Sequence, residues 1–405
     1  MSRGCTRWLS PSHPRFLAQT TTCRQAYAPC VSRDLERRTT DKVAHLVGQG
    51  PDWVTLVRGV SELVNDVIPF TRTCWHSVDP GTILFTGSVN QGVSCSGSWL
   101  AEHEYVIDDV NRWWFLARGS QHVGADGQST HGDLSRSARH RSREGYGIGD
   151  ELRVSFVRDG VYWGAAGFLR EEGASCFDER DIALLSGLGE VIAEGLRRSM
   201  LTSAPGPNDL DNVAAGPGVV VFDEHGQLES ISPAAEMWIA EMIEVPAPAD
   251  PSQSKAVQAV AARARSLLEG QDPLGLEARS RVRTRTGRWL LLYGTRLSGA
   301  APDRVAVVLQ PATGNEVAPL VALAYDLTDR ESQVTRLCMQ GRSTKQMAQA
   351  MQVSAYTVQD HLKAIFAKTR VQSRGELVGQ IFLEHYVPRW EEAPSPPAGW
   401  LALGD

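Results

Sequence analysis

The residues whose types and spacing could do chemistry lie between 327 and 378, in LTDRESQVTRLCMQGRSTKQMAQAMQVSAYTVQDHLKAIFAKTRVQSRGELV. Val358, Leu362, Ile365 and Phe366 recur at helical spacing and predict one buried face. Thr357, Gln359, Asp360, Lys363 and Lys368 are then free to point outward. Gln can pair with adenine through two hydrogen bonds, Asp can accept from cytosine, and Lys can donate to guanine or to phosphate. Ser343, Thr344, Lys345 and Thr357 sit near predicted helix starts, where backbone N–H groups already favour phosphate. The chemistry these residues offer together is recognition of a DNA duplex.

Short helices must position them. Thr328 with Glu331 forms a capping box before Val334, Leu337 and Cys338. Gly341 supplies a left-handed exit. Ser343 caps a second helix carrying Met347, Ala348 and Met351 inward. Val353-Ser354 makes a turn, and Ser354 caps the third helix. Ser373 and Glu376 cap a fourth, with Leu377, Val378, Ile381 and Phe382. The short gap between the second and third helices is a helix-turn-helix signature, in which the third helix enters a major groove.

This stretch closely resembles the C-terminal DNA-binding domain of LuxR-type transcriptional regulators. The resemblance rests on Leu327-Thr328-x-Arg330-Glu331, Gly341, Ser343-Thr344-Lys345, Ala348, Val353-Ser354, Thr357-Val358, His361-Leu362, Ile365-Phe366-x-Lys368 and Ser373-Arg374-x-Glu376-Leu377. It implies a four-helix all-α domain over 320–386. The positions matching Gln359, Asp360 and Lys363 would face bases, and the fourth helix, through Leu377, Val378 and Ile381, would support a homodimer. Asp360 departs from the pattern, since an acid near phosphates weakens general binding and sharpens sequence choice. The same kind of domain resembles the DNA-reading end of sigma factors, so a protein-interaction module contacting RNA polymerase or an antagonist is the alternative.

Charge distribution supports one DNA-facing end. The chain of 405 residues carries a net charge of −6. Residues 1–40 hold seven Arg against two acids (+5), and residues 327–387 hold eight Lys/Arg against five acids (+3), which leaves −14 for the remainder. An acidic body with a mildly basic C-terminal end fits one DNA-facing end, with that body repelled from the duplex. The seven cysteines show no C-x-x-C pair, and with no long apolar run a cytoplasmic protein without membrane contact is the simplest expectation.

The rest of the chain reads as two α+β domains. Residues 1–40, rich in Arg, Ser and Thr, read as a disordered extension. In 41–200, the spacing over Asp52–Val67 predicts a helix, and Val154–Val157 and Tyr162–Phe168 are strands around an Arg158-Asp159-Gly160 turn. Phe177-Asp178-Glu179-Arg180-Asp181 opens a helix with Ile182, Leu185, Leu188, Ile192 and Leu196 on one side. This ending resembles a GAF domain, which implies a sensory input and a small-molecule effector. Trp75, Trp99, Trp113, Trp114 and Phe115 are candidates to line an apolar pocket. The basic stretch Arg136, Arg139, His140, Arg141 and Arg143 reads as a solvated helix face. Glu102-His103-Glu104-Tyr105 and Asp108-Asp109 bring acids and a histidine together, but no zinc spacing, P-loop or nucleophile elbow accompanies them. No catalytic residue, metal or cofactor is expected. A sensor enzyme acting on a cyclic nucleotide is the remaining enzymatic alternative.

Residues 201–212 read as a linker. Over 213–311, Val219–Phe222, an Asp223–Gly226 turn, a second strand, a helix from Ser232-Pro233, and strands at 281–285, 289–294 and 305–309 resemble a PAS-like domain. Its middle, 244–273, is Pro- and Ala-rich and departs from that pattern, so a spacer or dimerisation role for the domain stands beside a ligand pocket. Pro-rich 387–405 reads as a disordered tail. The expected whole is a multidomain regulator: GAF-like, PAS-like and LuxR-type.

Overall fold

The structure, a computed structural model, describes residues 33–202, 216–267, 277–298 and 303–385, with side chains described as far as Gly379. The expected tail, most of the linker and residues 1–32 lie outside the described residues.

The first region begins with α1 (Arg33–Gly48) and α2 (Trp53–Asn65). Helix therefore starts inside the expected 1–40 extension, because Leu35, Thr39, Val43 and Val47 continue one apolar stripe. Asp52 caps α2, accepting from Val54 N and Thr55 N. There follow β1 (Arg72–Val78), β2 (Phe85–Gln91), α3 (Gly97–Tyr105), α4 (Trp113–Arg118), β3 (Val123–Ala125), α5 (Asp126–Ser129) and α6 (Ala138–Ser142). The hairpin β4 (Ile148–Arg158) and β5 (Val161–Glu171) turns at Asp159 and Gly160, both with positive φ, as a tight hairpin of right-handed twist demands. Asp178 and Asp181 form a capping box for α7 (Glu179–Ser199), which buries Leu185, Leu188, Ile192 and Leu196 as its spacing predicts.

The second region comprises β6 (Gly218–Phe222), β7 (Leu228–Ile231), α8 (Pro233–Glu241), β8 (Glu244–Val245), α9 (Lys255–Ser266), β9 (Arg279–Arg283), β10 (Trp289–Leu297) and β11 (Arg304–Pro311). Its five-stranded antiparallel sheet has the order β7-β6-β11-β10-β9. The first sheet has the order β3-β4-β5-β1-β2-β8, so its last strand comes from the second region, pairing parallel to β2 through Ser88–Glu244 and Val89–Val245.

The expected boundary near 200–213 does not separate two cores. One apolar cluster runs from Val78, Phe85 and Leu100 of the first region to Phe222, Trp238 and Leu292 of the second. At its centre lies α9, in which every residue from Lys255 to Ala264 is buried. Its small Ala and Val side chains let neighbours approach on every side, and two of the polar groups it buries are paired, Lys255 with Glu244 and Gln258 with the Ser252 carbonyl. The 244–273 stretch is thus, as far as it is described, an internal packing element. Glycines permit the approach: a Cβ on Gly97 would stand 2.3 Å from the Gln253 carbonyl oxygen, and one on Gly294 2.9 Å from Val260 Cγ1. Across the same junction Asp79, 1% exposed, accepts from Arg281 N (2.8 Å), Nε (2.9 Å) and Nη2 (2.6 Å).

A helix, α10 (Gly314–Ala324), occupies the stretch that joins this body to the C-terminal helices. It packs Val317, Leu320 and Val321 on Trp289, with Met200 and Leu201 alongside. Arg197 donates to the Ala324 carbonyl at its end. Then come α11 (Asp329–Met339), α12 (Thr344–Met351), α13 (Ala355–Thr369) and α14 (Arg374–His385) around a separate small core.

Candidate nucleic-acid interface

The C-terminal module folds as its local signals require. Thr328 and Glu331 cap each other's backbone across the first turn of α11 (Glu331 Oε2 to Thr328 N, 2.8 Å). Gly341 takes φ +70° and lets Arg342 N reach the Leu337 carbonyl. Ser343 and Gln346 form a capping box on α12, and Ser354 accepts from Thr357 N (3.0 Å) on α13. The turn between them bends at Gln352, a non-glycine residue with φ +55° that the sequence reading did not single out. Val334, Cys338, Met347, Ala348, Met351, Val358, Leu362 and Ile365 are buried together.

With 358, 362 and 365 inside, α13 turns the spacing 356, 359, 360 and 363 outward as one stripe. Gln359, Asp360 and Lys363 are exposed, and Lys363 Nζ reaches Asp360 Oδ1 at 3.3 Å. Tyr356, 70% exposed, stands in the same stripe one turn earlier, with Lys363 Nζ 6.0 Å from its ring centre. Sequence reasoning missed Tyr356. The signal was available, as an aromatic residue on the polar side of an amphipathic helix. Lys345 is exposed at the start of α12. Ser343 is exposed while its hydroxyl caps α12, and Thr344, half-buried, accepts from Arg374 Nη2 at 2.6 Å. Thr357 is half-buried and exchanges a hydrogen bond with the Ser354 hydroxyl.

Two expectations are corrected by this packing. Lys368 does not join the outward stripe: its Nζ donates to the Asp326 carbonyl (2.7 Å) and to Glu331 Oε2 (2.8 Å), tying α13 to the start of α11. It lies five residues beyond Lys363, about 500° of helix, which rotates it off the stripe. Burial opposes the charge of Glu331, but the hydrogen bonds from Lys368 and from Thr328 outweigh it and hold its pKa below the ordinary carboxylate value. Leu377 is fully buried in the module's own core, so it has no surface to offer a second copy. Val378 is half-buried, and the side chain of Ile381 lies outside the described residues.

Residues 326–380 match the family described as bacterial regulatory proteins, luxR family. The module is a LuxR-type helix-turn-helix domain. It is 41% identical over 61 residues to a protein of Aeromonas salmonicida named as an HTH-type transcriptional regulator (15% of this chain, 31% of that one). It is 39% identical over 57 residues to the monoamine regulon transcriptional regulator of Klebsiella aerogenes (14% and 25%). The chain thus spans less than a third of the length of these curated relatives. Solved structures similar to the part ahead of the LuxR-type module include the GAF domain of a phosphoenolpyruvate-protein phosphotransferase from Coxiella burnetii (11% identity, TM-score 0.29, covering 41% of this chain and 95% of that one). The GAF domain of the Acinetobacter phosphoenolpyruvate-protein phosphotransferase is another (11%, TM-score 0.30, 44% and 100%).

The charged groups singled out ahead of the LuxR-type module divide: Arg136 and Arg141 are exposed as expected, as are Glu102 and Asp108, while Arg139 and Glu104 are held inside. Arg139, expected on a solvated face, has a side chain 2% exposed that meets Asp109 and Asp126 at 3.0 Å each. Arg143 Nη2 donates to Glu151 (2.5 Å), and Arg153 pairs with Glu104 (3.0 Å) while its guanidinium lies 3.4 Å from the centre of the Trp113 ring. Burial raises the pKa of Glu104; it opposes the charge of Glu151 too, but Arg143, Arg153 and Arg139 outweigh it and hold that carboxyl low. Of the acids expected near His103, Glu104, Asp108 and Asp109 are engaged in ion pairs with Arg153, Arg112 and Arg139, and Glu102 is exposed.

The five aromatics divide. Trp75 lies under α2, donating to Ser61 Oγ (2.8 Å) and stacked on Phe156, while Phe115 is 60% exposed. Trp114 Nε1 donates to the Glu104 carbonyl. Trp99 and Trp113 share a cavity of about 220 Å³ with Cys74, Cys95, Arg143 and Glu151. Burial pushes the Cys74 thiol up to about 12, so it is no nucleophile at neutral pH. No group of three or more His, Cys, Asp or Glu side chains could hold a metal among the described residues, and no helix there is long and apolar enough to cross a membrane.

Proposed function

We propose that the protein is a sequence-specific DNA-binding transcriptional regulator that acts as a homodimer and is controlled by an effector sensed in the region ahead of its LuxR-type module. The observation that carries this reading is the outward stripe of α13. Tyr356, Gln359, Asp360 and Lys363 form a base-reading surface on a helix whose other face is packed, with Lys345 at the start of the neighbouring helix to meet phosphate. Gln359 and Lys363 supply the base-edge donors and acceptors, and Asp360 restrains Lys363 until a base competes for it. Ser343, Thr344 and Thr357 set helix starts toward the backbone of the duplex. The +3 charge of the module is small, which favours two modules on paired half-sites over one alone.

The sensor is read as GAF-like followed by PAS-like segments. The hairpin β4–β5 followed by α7 supports the first, and the order β6, β7, α8, then β9, β10, β11 supports the second. The shared core and the helix α10 running from Trp289 to the LuxR-type module give the sensed state a mechanical route to DNA binding. The test is capture of genomic fragments by the full-length protein at moderate salt. A pair of enriched half-sites about one helical turn apart supports the reading. Equal recovery with a chain lacking residues 327–387 contradicts it.

A further inference from the structure

A second cavity, of about 370 Å³, opens where the two sheets meet. Trp53, Trp163, Leu196, Met200, Val245 and Trp289 give it apolar walls, and its size falls in the usual range for a small-molecule site, roughly 300–1,000 Å³. Trp53 and Trp289 are 7% and 5% exposed, yet neither indole N–H has a hydrogen-bond partner. A buried donor without an acceptor is costly, and two on one cavity mark a place where an acceptor belongs.

The charges around it point to the acceptor's sign. Arg281 is matched by Asp79 and Glu244 by Lys255 (3.6 Å), while Asp52, which caps α2 through neutral donors, keeps its charge as the one acid among the described lining residues set against Arg283 and Arg285. Arg283 lies with its guanidinium 5.6 Å from the centre of the Trp289 ring. Arg285, exposed at the cavity's edge, donates to the Ala240 carbonyl, a neutral acceptor that leaves its charge uncancelled.

We propose that this cavity between the sheets binds a small organic carboxylate, with an aromatic or aliphatic body held between Trp53, Trp163 and Trp289 and its carboxylate facing Arg285. An anion here supplies the acceptors the indoles lack. The site is placed to act at a distance, because Trp289 and Met200 belong both to its wall and to the cluster that seats α10, the helix leading into the LuxR-type module. The proposal deepens the reading of an effector-controlled regulator and rests on that reading only for the consequence of binding.

The experiment is a titration of the full-length protein, labelled with ¹⁵N at the tryptophan indoles, with 2-naphthoate and octanoate and in parallel with their primary amides. Trp53→Phe and Trp289→Phe assign the two N–H resonances. The carboxylates are expected to shift both resonances saturably. The amides, and the carboxylates with Arg285→Gln, bind about tenfold more weakly, the loss of one charge-assisted hydrogen bond. Arg285 is exposed, so Arg285→Gln preserves the fold. Thr202→Phe, at the exposed rim, blocks entry independently and abolishes the shifts. Absence of any shift, equal affinity of acid and amide, or shifts that persist with Thr202→Phe would overturn the proposal. No DNA is present, so failure here leaves the DNA-binding reading standing, and failed DNA capture leaves this one standing.

Discussion

The LuxR-type module and the region ahead of it handle charge in opposite ways. In the module, Lys345, Asp360 and Lys363 lie on the surface and the core is apolar apart from Glu331, Thr335 and Thr369. Ahead of it, Arg139, Arg153, Glu104, Asp126 and Glu151 are withdrawn from water and satisfied by one another, and Asp79 with Arg281 pins the two sheets together. Surface charge adds little to stability and is free to meet a ligand, whereas a buried charge is bound to its partner and is costly to orphan. The module thus keeps its charge accessible, and the body ahead of it commits charge to internal pairs.

The largest break in that comparison comes from Arg139→Ala, which leaves Asp109 and Asp126 without their buried cation. It should destabilise the region ahead of the module by about 3–5 kcal/mol, read as a fall in the denaturation midpoint of its tryptophan signal, while DNA affinity per folded molecule is unchanged. Next is Leu362→Ala in the module's core, with an expected loss of about 3 kcal/mol. Amide exchange should localise that loss to residues 327–379 and leave α9 protected, because the two cores are separate.

A smaller effect sharpens the contrast inside the module. Lys368→Ala should lower its stability by about 1 kcal/mol and leave the salt dependence of DNA binding unaltered, since its ammonium is directed at Glu331 and not at phosphate. The Glu331 carboxyl titrates below its unfolded value, so the tie is in place at neutral pH. It is lost as pH falls through that lowered pKa, and the difference in Tm between wild type and Lys368→Ala should narrow there. A reduced salt slope for Lys368→Ala would return this residue to the interface.

The same contrast explains what the sequence disclosed. The module's helices, caps and core followed from local signals: Thr328 with Glu331, Gly341, Ser354, and the spacing of Val358, Leu362 and Ile365. A helix reports its faces within a few residues. The hairpin at Asp159-Gly160 and the stripe of α7 were legible for the same reason. The burial of Arg139 was not, because its partners lie 30 and 13 residues away and nothing in a run of arginines says which one turns inward. Nor did Ala and Val over 255–264 announce a helix closed between two sheets, since the surfaces that enclose α9 come from β2, α3, β10 and β11. Of the candidate site, Gln359, Asp360, Lys363 and Lys345 lie where spacing put them on the surface. Lys368 turned away with the helical period, three residues after the buried Ile365, whereas Leu377 was taken into the module's own core by packing that the spacing of α14 alone does not decide.

The outer face of α12 and α13 is proposed to engage a duplex. The most direct test is the affinity of the full-length protein for a captured fragment and for unrelated DNA, measured across salt for wild type, Lys345→Ala and Lys363→Ala. Lys345→Ala should weaken both DNAs alike and reduce the slope of log affinity against log salt by about 1. Lys363→Ala should cost about 1–3 kcal/mol on the captured fragment and far less on unrelated DNA. Unchanged affinity and slope in both variants, with the module still folded, would contradict the claim.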